Sequence, residues 1–279
     1  MTVLADRLAV LEAELSAVPG VLVAFSGGVD SGVVLAAAVR ALGADRVVAA
    51  TAVSPSLPAA EQAAAHAFAT SLGVRHEQPR TDELSRPGYV ANAGDRCAFC
   101  KAELVDVLTP LAARLGIADV VTGTNADDLR AGFRPGIRAA AERGAWAPLA
   151  RAGMTKDDVR AAARGWGLPL ADKPAAACLA SRIAYGVPVS AERLARVEAA
   201  ESALREALAA AGIDVRDLRV RDLGSDIARV EVDAAVVPEL AARPELLDAV
   251  AGFERVELDP RGFRSGAMNE LLPDPVRYR

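Results

Sequence analysis

Cysteine and histidine are scarce in this chain, with three and two occurrences among 279 residues. So few cysteines, in an odd number, argue against a disulfide-stabilised secreted fold. No apolar run is long and uninterrupted enough to span a bilayer, and the N-terminal region lacks the charged flank and cleavage site of a signal peptide. The sequence therefore predicts a globular, cytoplasmic protein with no membrane partner.

Charge of one sign is not in large excess either. The formal net charge is −5, with 52% hydrophobic and 25% charged residues. This weakly acidic balance disfavours a long nucleic acid as the main partner. The composition is that of an ordinary globular chain, long enough for one large or two modest domains.

The most informative stretch is "VLVAFSGGVDSGVVLAAAVRAL", residues 21–42. Its first five residues are apolar, which is typical of a buried parallel strand, and the alanine- and leucine-rich part after Ser31 predicts a helix. The first N–H groups of a helix have no intrahelical partners, so this junction favours a bound phosphate. Gly27 and Gly28 would let the backbone approach that anion closely.

No lysine follows this junction, so the G-x-x-x-x-G-K-[ST] pattern of P-loop NTPases is absent. The stretch resembles instead the S-G-G-x-D-S signature of the PP-loop ATP pyrophosphatases, which cleave ATP between its α- and β-phosphates. The resemblance implies that Asp30 lies close to Mg²⁺. It implies an ATP site formed by Ser26, Gly27, Gly28, Val29, Asp30 and Ser31. A glycine turn that only joins strand to helix is the alternative.

Strands and helices alternate along the first part of the chain, which predicts a parallel sheet. The predicted strands cover 21–25, 46–53, 74–79 and 118–122, and the predicted helices cover 31–42, 58–72, 101–115 and 155–167. We therefore expect an α/β fold, a doubly wound parallel sheet whose ligand crevice lies at the carboxyl ends of its strands.

"GTNADD", residues 123–128, follows the fourth predicted strand at the same edge of the sheet. This position favours a nucleotide-side role for Gly123, Asn125 and Asp127. Capping of the loop by Asn and Asp side chains is the alternative.

Residues 170–190 are rich in proline and small residues and lack periodicity, which indicates a linker. Beyond Ser190, a candidate N-cap, the pattern predicts a small α+β domain. Its predicted helices cover 191–211 and 234–250, and its strands lie near 216–222, 226–232 and 254–258. We expect an ATP pyrophosphatase domain over 1–169, a cysteine-bearing linker over 170–190, and a substrate-binding and oligomerisation domain over 191–279.

The three cysteines narrow the chemistry. Cys97 and Cys100 form a C-x-x-C in "DRCAFCKAEL", and Cys178 lies in the linker. A structural zinc site normally needs four ligands, but His66 and His76 lack metal-ligand spacing and are expected to be ordinary surface or core residues. Three thiolates can hold three corners of a four-iron cluster and leave one iron open. A C-x-x-C alone is a weak signal, and a chance pair at a helix start is the alternative.

Four motifs together resemble the LarE family of pyridinium-3,5-biscarboxylic acid mononucleotide sulfurtransferases, which help to build the nickel-pincer cofactor of lactate racemase. They are "AFSGGVDS", "CLASRIAYG", "RVRDLGSDIARVEV" and "LDPRGFRSGAMNE". The resemblance covers nearly the full length in the same order. It implies that Cys178 carries sulfur. Some family members sacrifice the sulfur of that cysteine and end as dehydroalanine, whereas others add a C-x-x-C and bind a [4Fe–4S] cluster; this chain resembles the second kind.

The family reaction begins with attack of a substrate carboxylate on the α-phosphorus of ATP, which releases pyrophosphate and leaves an acyl-adenylate. A sulfur nucleophile then displaces AMP and leaves a thiocarboxylate. The resemblance implies ATP, Mg²⁺ and a [4Fe–4S] cluster as cofactors. It implies catalytic roles for Cys97, Cys100, Cys178, Asp30 and Arg182, with Arg182 stabilising charge at the α-phosphate.

The substrate phosphate and carboxylates need a cationic pocket. Arg219 and Arg221 are two apart on a predicted strand, so their side chains point to one face. With Arg264 they resemble the family's substrate-phosphate site, and Glu201 and Glu231 stand where the family has acidic residues near it. Ordinary surface ion pairs are the alternative for any one arginine.

Three rival functions remain at this stage. Some tRNA 2-thiolation enzymes combine a PP-loop with cluster-binding cysteines, but the acidic balance and missing basic extension count against one here. PP-loop enzymes that use ammonia, including those of NAD synthesis, would leave the cysteines unexplained. A non-catalytic nucleotide-binding redox sensor could keep every motif. The favoured interpretation has a small pyridinium mononucleotide as partner, no nucleic acid, an unidentified sulfur donor and a homo-oligomeric state.

Overall fold

The computed structural model describes residues 3–130, 135–174, 177–264 and 266–271. These residues form two compact units. The first contains the described residues of 3–83 and 97–174, and the second those of 84–96 and 177–271. A short segment from the first half of the chain, 84–96, therefore belongs to the second unit.

The first unit is built on a four-stranded parallel sheet with the strand order β3-β2-β1-β4. Its strands are β1 Val21–Ala24, β2 Val47–Ala50, β3 Arg75–Glu77 and β4 Asp119–Thr122. The prediction of an α/β fold with a doubly wound parallel sheet is confirmed. The carboxyl ends of β1 and β4 lie side by side, because Ala24 pairs with Thr122 in register.

The described residues contain helices α1 Val3–Ser16, α2 Val29–Leu42, α3 Ala59–Ser71, α4 Pro87–Val90, α5 Arg96–Arg114, α6 Ala126–Arg130, α7 Pro135–Ala141, α8 Pro148–Arg151, α9 Lys156–Gly165, α10 Ala191–Ala210 and α11 Val237–Ala242. Short 3₁₀ helices cover Ala44–Arg46, Glu83–Ser85, Leu179–Arg182, Pro244–Ala249 and Ala267–Leu271. Among these helices, none is long and apolar enough to cross a membrane.

Helices cover both faces of the sheet in the first unit, and β1 shows this directly. Val21 and Val23 pack into one core cluster with residues of α1, α2 and α9, whereas Leu22 and Ala24 pack into a second cluster with residues of α5. A strand that is buried on both faces needs apolar residues at every position. This explains the continuous apolar run that marks β1 in the sequence.

The second unit contains a three-stranded sheet of order β5-β6-β7, formed by β5 Leu218–Asp222, β6 Ile227–Val232 and β7 Arg255–Leu258. The first pair is antiparallel and the second parallel. One face is apolar, where Val220 and Val230 join Leu204 of α10 in a core cluster. Ser190 caps α10, as predicted, by accepting a hydrogen bond from the Arg193 N–H. This is the smaller C-terminal α+β region expected from the sequence.

Several helix boundaries in the described residues differ from the prediction. Helix α2 begins at Val29 rather than residue 31, and α5 begins at Arg96 rather than residue 101, because no glycine or proline interrupts 96–100. The single helix predicted over 234–250 is wrong. It is α11 followed by a 3₁₀ helix from Pro244, because a residue before proline is disfavoured in the helical conformation. Arg243 accordingly has φ −131° and ψ 59°.

Candidate functional site

The loop after β1, which we call the β1–α2 loop (residues 26–31), turns the chain into the first turn of α2. Gly27 has φ 74°, a left-handed conformation that favours glycine. Gly28 is the N-cap and provides no side-chain cap. The Ser26 N–H donates to Ser31 Oγ at 3.2 Å, and Ser31 Oγ donates to the Gly28 carbonyl at 3.2 Å. These internal hydrogen bonds stabilise the conformation of the loop. The N–H groups at the start of α2, from Val29 onwards, are of the kind that binds an anion at a helix N-terminus.

The loop after β4 meets this first turn of α2. Gly123 allows the approach, because a Cβ at this position would lie 2.6 Å from the Ser31 backbone nitrogen. Asn125 Nδ2 donates to Asp30 Oδ1 at 3.0 Å. Asn125 Oδ1 accepts from the N–H of Asp127 at 2.9 Å, so it also caps the start of α6. The structure thus brings Gly123 and Asn125 to the first turn of α2, and Asn125 has the capping role. The nucleotide-side role of Gly123, Asn125 and Asp127 stays a prediction.

Two lysines that the sequence did not single out contact the β1–α2 loop. The ammonium of Lys156 pairs with Asp30 Oδ2, and the Lys156 N–H donates to Asp127 Oδ2 at 2.8 Å. Lys173 Nζ donates to the Gly27 carbonyl at 3.0 Å and to Glu61 Oε2 at 2.6 Å. These contacts place two compact positive charges at the edge where phosphate would bind.

Lysine scarcity is the signal that could have revealed them. The chain has 32 lysines and arginines, of which only Lys101, Lys156 and Lys173 are lysines. Two of the three contact the β1–α2 loop, and the third follows Cys100 directly. The rarity of lysine in a chain so rich in arginine therefore marks these three positions as candidates for a specific role.

The chemistry of this edge fits a magnesium-bound triphosphate. Mg²⁺ is usually held by one or two carboxylates together with substrate phosphates and water, rather than by a full protein cage. Asp30 supplies one such carboxylate beside the helix N-terminus, and Asn125 orients it.

The three cysteines all lie within the described residues, and none of them forms a disulfide. Cys97 is exposed and Cys100 is half-buried, and both lie at the start of α5, three residues apart on one face of the helix. Cys178 is exposed and precedes the 3₁₀ helix Leu179–Arg182 in the second unit. Three thiols are the donor type of an iron–sulfur cluster. Within the described ranges, however, no group of three His, Cys, Asp or Glu residues is arranged to hold a metal ion.

Three arginines of the second unit, Arg182, Arg219 and Arg221, form what we call the arginine cluster; each is at most 7% exposed. Arg182 forms a bidentate ion pair with Glu201, at 2.9 and 3.1 Å, and donates to the Cys178 carbonyl at 3.2 Å. The same guanidinium therefore fixes the backbone that carries the thiol.

Arg221 forms the second buried ion pair of the arginine cluster. Its Nε and one terminal nitrogen donate to Glu231 Oε2 at 3.0 and 2.7 Å, and the other nitrogen donates to the Ser181 carbonyl at 3.0 Å. Arg219 stands opposite Glu231 in the register of β5 and β6, so all three side chains share the polar face of this sheet. The structure therefore brings together two predicted arginines and one predicted carboxylate.

The arginine cluster brings like charges close to Arg219. Burial lowers the pKa of Arg219, and the charges of Arg182 and Arg221 lower it further, against the opposing effect of Glu201. The guanidinium of Arg219 also lies over the Phe263 ring, 5.1 Å from its centroid. A crowded, partly desolvated set of guanidinium groups is suited to an anion such as phosphate.

Two predicted residues have structural partners of their own. Arg264 pairs with Glu270, with one N···O distance of 2.9 Å. The hydrogen bond with Glu270 raises the pKa of Arg264, and Glu231 makes a smaller contribution in the same direction. Glu201 accepts from the Val220 N–H at 3.0 Å as well as from Arg182. Val220 lies on the edge strand β5, so Glu201 satisfies a backbone group that the sheet leaves open.

The segment 84–96 holds the chain near Cys178, which the sequence did not indicate. Arg96 donates to the side chain of Asn92 and to the Ala180 carbonyl at 2.8 Å, and it lies over the Tyr185 ring. Asn92 Nδ2 donates to three further carbonyls at 3.3, 2.8 and 2.8 Å, those of Ile183, Ala184 and Val187.

Comparison with known proteins gives one family model and several relatives. A model described as NAD synthase matches residues 4–87, which include the β1–α2 loop. An uncharacterized Synechocystis protein is 43% identical over 256 residues, covering 90% of this chain and 92% of its own. The pyridinium-3,5-bisthiocarboxylic acid mononucleotide synthase of Lactiplantibacillus plantarum is 35% identical over 275 residues, covering 98% and 97%. An uncharacterized Methanocaldococcus jannaschii protein is 28% identical over 178 residues, covering 63% and 67%.

Proposed function

The chain belongs to the LarE family, and on that premise we propose that it transfers sulfur, in an ATP-dependent reaction, to a carboxylate of a pyridinium mononucleotide. The Lactiplantibacillus plantarum relative is named for a bisthiocarboxylic acid product of this kind. One observation carries the proposal. The exposed thiol of Cys178 is attached to a backbone that Arg182 of the buried arginine cluster binds directly.

The first step activates the carboxylate. A carboxylate oxygen attacks the α-phosphorus of ATP, the bond to pyrophosphate breaks, and an acyl-adenylate forms. The first-turn N–H groups of α2 would hold the departing pyrophosphate, with Mg²⁺ bound near Asp30. Lys156 and Lys173 support this assignment, because both place an ammonium on a residue of the β1–α2 loop. Their charges would offset the negative charge of the leaving group.

In the second step a sulfur nucleophile attacks the acyl carbon and AMP leaves with its electron pair. With Cys178 as the nucleophile, a thioester forms; cleavage of the Cβ–S bond with loss of the α-proton then leaves the thiocarboxylate and dehydroalanine. Arg182 would orient Cys178 through its carbonyl in this step. A [4Fe–4S] cluster on Cys97, Cys100 and Cys178 would instead supply sulfur that does not come from the chain.

The arginine cluster would recognise the substrate phosphate. Guanidinium groups bind phosphate through two parallel hydrogen bonds, and burial strengthens such contacts. Glu201 and Glu231 keep Arg182 and Arg221 in place. We propose Arg219 as the principal phosphate ligand, because its guanidinium shares the polar face of β5 and β6 with Arg221, and two guanidinium groups on one face suit an anion. Arg264, which the family resemblance assigns to the same site, would be a further phosphate ligand.

The deciding experiment is anaerobic purification, followed by incubation with ATP, Mg²⁺ and pyridinium-3,5-biscarboxylic acid mononucleotide. We expect AMP, pyrophosphate and a thiocarboxylate in equal amounts. ADP and phosphate would contradict the adenylation, and ATP binding without turnover would favour a nucleotide-binding sensor. Unfractionated tRNA as substrate is the control for the 2-thiolation alternative.

Iron analysis and intact mass separate the two sulfur sources. The cluster hypothesis expects bound iron after reconstitution and repeated turnover with added sulfide. The sacrificial route expects one sulfur per chain and a loss of one hydrogen sulfide at Cys178. Cys97→Ala combined with Cys100→Ala should abolish multiple turnover; unchanged multiple turnover would exclude the cluster. Light scattering would test the homo-oligomer, which stays a prediction.

A further inference from the structure

The only two histidines of the chain meet on the surface of the first unit. His66 is on α3 and His76 on β3, and their Nδ1 atoms are 3.2 Å apart. The rings are nearly parallel, at 25°, with centroids 5.5 Å apart. His66 is exposed and His76 half-buried. Neither side chain has a part in the sulfur-transfer proposal.

The hydrogen bonds around His76 fix which of its nitrogens carries the proton. The Thr51 hydroxyl has a single hydrogen and donates it to the Phe25 carbonyl at 2.8 Å. Thr51 Oγ1 must therefore accept from His76 Nε2, which lies 2.9 Å away. Neutral His76 thus carries its proton on Nε2, and the lone pair of its Nδ1 points towards His66.

The distance between the two Nδ1 atoms matches that of two nitrogen ligands bound to one metal ion. Two metal–nitrogen bonds of ordinary length at a tetrahedral angle separate the nitrogens by about 3.3 Å. Metal-binding histidines usually donate their second ring N–H to a protein or water oxygen, as His76 does to Thr51. His66 is exposed, so its other ring nitrogen can take up the proton when its Nδ1 binds a metal.

The surroundings keep the pair available. Burial lowers the pKa of His76, and the neighbouring His66 lowers it further, against the opposing effect of Glu77. The carboxylate of Glu77 is engaged with Arg75 at 2.7 Å. One helical turn before His66, Gln62 bonds Gln78 at 2.6 Å and fixes the spacing of helix and strand.

We propose that His66 and His76 form a two-histidine site for a divalent transition-metal ion of the kind imidazole prefers, such as Zn²⁺, Ni²⁺ or Cu²⁺, with water completing its coordination. The site lies outside the sulfur-transfer machinery, and it stands whether or not the proposed function is correct. One ligand lies on α3 and the other on β3, and their Nδ1 atoms are already 3.2 Å apart, so the ion would bind without rearrangement of the backbone.

Calorimetric titration with NiCl₂ tests the site. The background is a Cys97→Ser, Cys100→Ser, Cys178→Ser chain, because free thiols also bind such ions. We expect one Ni²⁺ per chain, with binding at least tenfold weaker in His66→Gln and in His76→Gln. Thr70→Ala is the matched control, because Thr70 is exposed and lies one helical turn after His66 on the same face of α3, and this variant should bind as the parent does.

His66 is exposed, so His66→Gln should keep the fold, and circular dichroism checks this. Binding that is unchanged in folded His66→Gln, or absent from the parent, would overturn the proposal. Without metal, nitrogen-15 NMR should find the His76 proton on Nε2. A proton on Nδ1 of neutral His76 would contradict the preformed site.

Discussion

Lys156 and Asp30 form an ion pair at the first turn of α2, while the amide of Asn125 donates to the other oxygen of the same carboxylate. The carboxylate that we assign to Mg²⁺ therefore already has a cationic partner within the chain. Mg²⁺ must share Asp30 with Lys156 or displace it, and a displaced ammonium can turn to the phosphates.

We predict that Lys156→Met lowers two kinetic quantities for different reasons. The maximal rate of pyrophosphate release should fall about 100-fold, the scale of one lost electrostatic contact to the transition state. The Mg²⁺ concentration for half-maximal rate should also fall, because the competing ammonium is gone. Pyrophosphate release across a MgCl₂ series measures both.

Asp30→Asn should lower the rate by about 100-fold as well, but it should raise the Mg²⁺ requirement. Arg151→Met, which removes an exposed ion pair with Glu14, is the control and should change neither quantity. An unaltered Mg²⁺ requirement in Lys156→Met would mean that the lysine does not compete at Asp30.

Arg219→Ala should weaken binding of the pyridinium substrate far more than binding of ATP. The expected loss is about 2 to 3 kcal/mol, that of a charged hydrogen-bonded contact. Arg255→Ala is the control, since Arg255 lies on the same polar face but on β7, with its side chain 63% exposed. Separate titrations of the two ligands measure the effect. Equal losses for both ligands in Arg219→Ala would show that the phosphate assignment is wrong.

Asn92→Ala should destabilise the second unit by about 3 kcal/mol, because buried carbonyls near Cys178 lose their donor. Asn92 has φ 53°, so alanine also meets backbone strain of about 1 kcal/mol. Asn92→Gly removes the side chain without that strain. The difference in free energy of unfolding between the two variants therefore measures the strain. Urea unfolding measures both free energies; two equally stable variants would contradict the strain argument.

The Asp222 carboxylate should make the second unit sensitive to acid. Burial raises the pKa of Asp222, but the hydrogen bonds from Arg196, the Gly224 N–H and Arg193 outweigh it and hold the pKa below the ordinary 3.8. A depressed pKa gives stability that is present above about pH 4 and is lost as the pH falls through the folded-state value.

Asp222→Asn should therefore cost about 3 kcal/mol near neutral pH, and less at about pH 3. Urea unfolding at the two pH values measures how much smaller the cost of the substitution becomes in acid. Asp226→Asn is the control, because Asp226 also pairs with Arg196 but is 53% exposed. A cost that is the same at both pH values would show that the carboxylate charge is not the cause.

Local patterns in the sequence were enough for the parts of the fold that depend on neighbouring residues. The apolar run of β1, the glycines after it and the alternation of Arg219 and Arg221 each predict a feature within a few positions. The break at Arg243 differs from the predicted single helix over 234–250, although Pro244 signals it. Pro238 is no such signal, because it lies in the first turn of α11, where proline is tolerated.

Contacts between distant segments could not be predicted in the same way. Lys156 meets Asp30 across 126 positions of the sequence, and nothing around "TKDD" identifies that partner. His66 and His76 are separated by a helix end and a turn, so their spacing matches no metal-binding pattern, and only the packing of α3 against β3 brings them together. The hydrogen bonds of Asn92 could not be predicted either, because their acceptors are carbonyls more than 90 positions further along the chain.

Because lysine is scarce, chemical labelling of amines can report on a few defined positions of this chain. An amine-reactive acylating reagent can label only three side chains, Lys101, Lys156 and Lys173. Two of them contact the β1–α2 loop, and the third adjoins the C-x-x-C. Peptide mapping after brief labelling, with and without ATP, would therefore report whether the β1–α2 loop is occupied, through the reactivity of Lys156 and Lys173. No introduced probe is needed, and the many arginines of the chain do not react with the reagent.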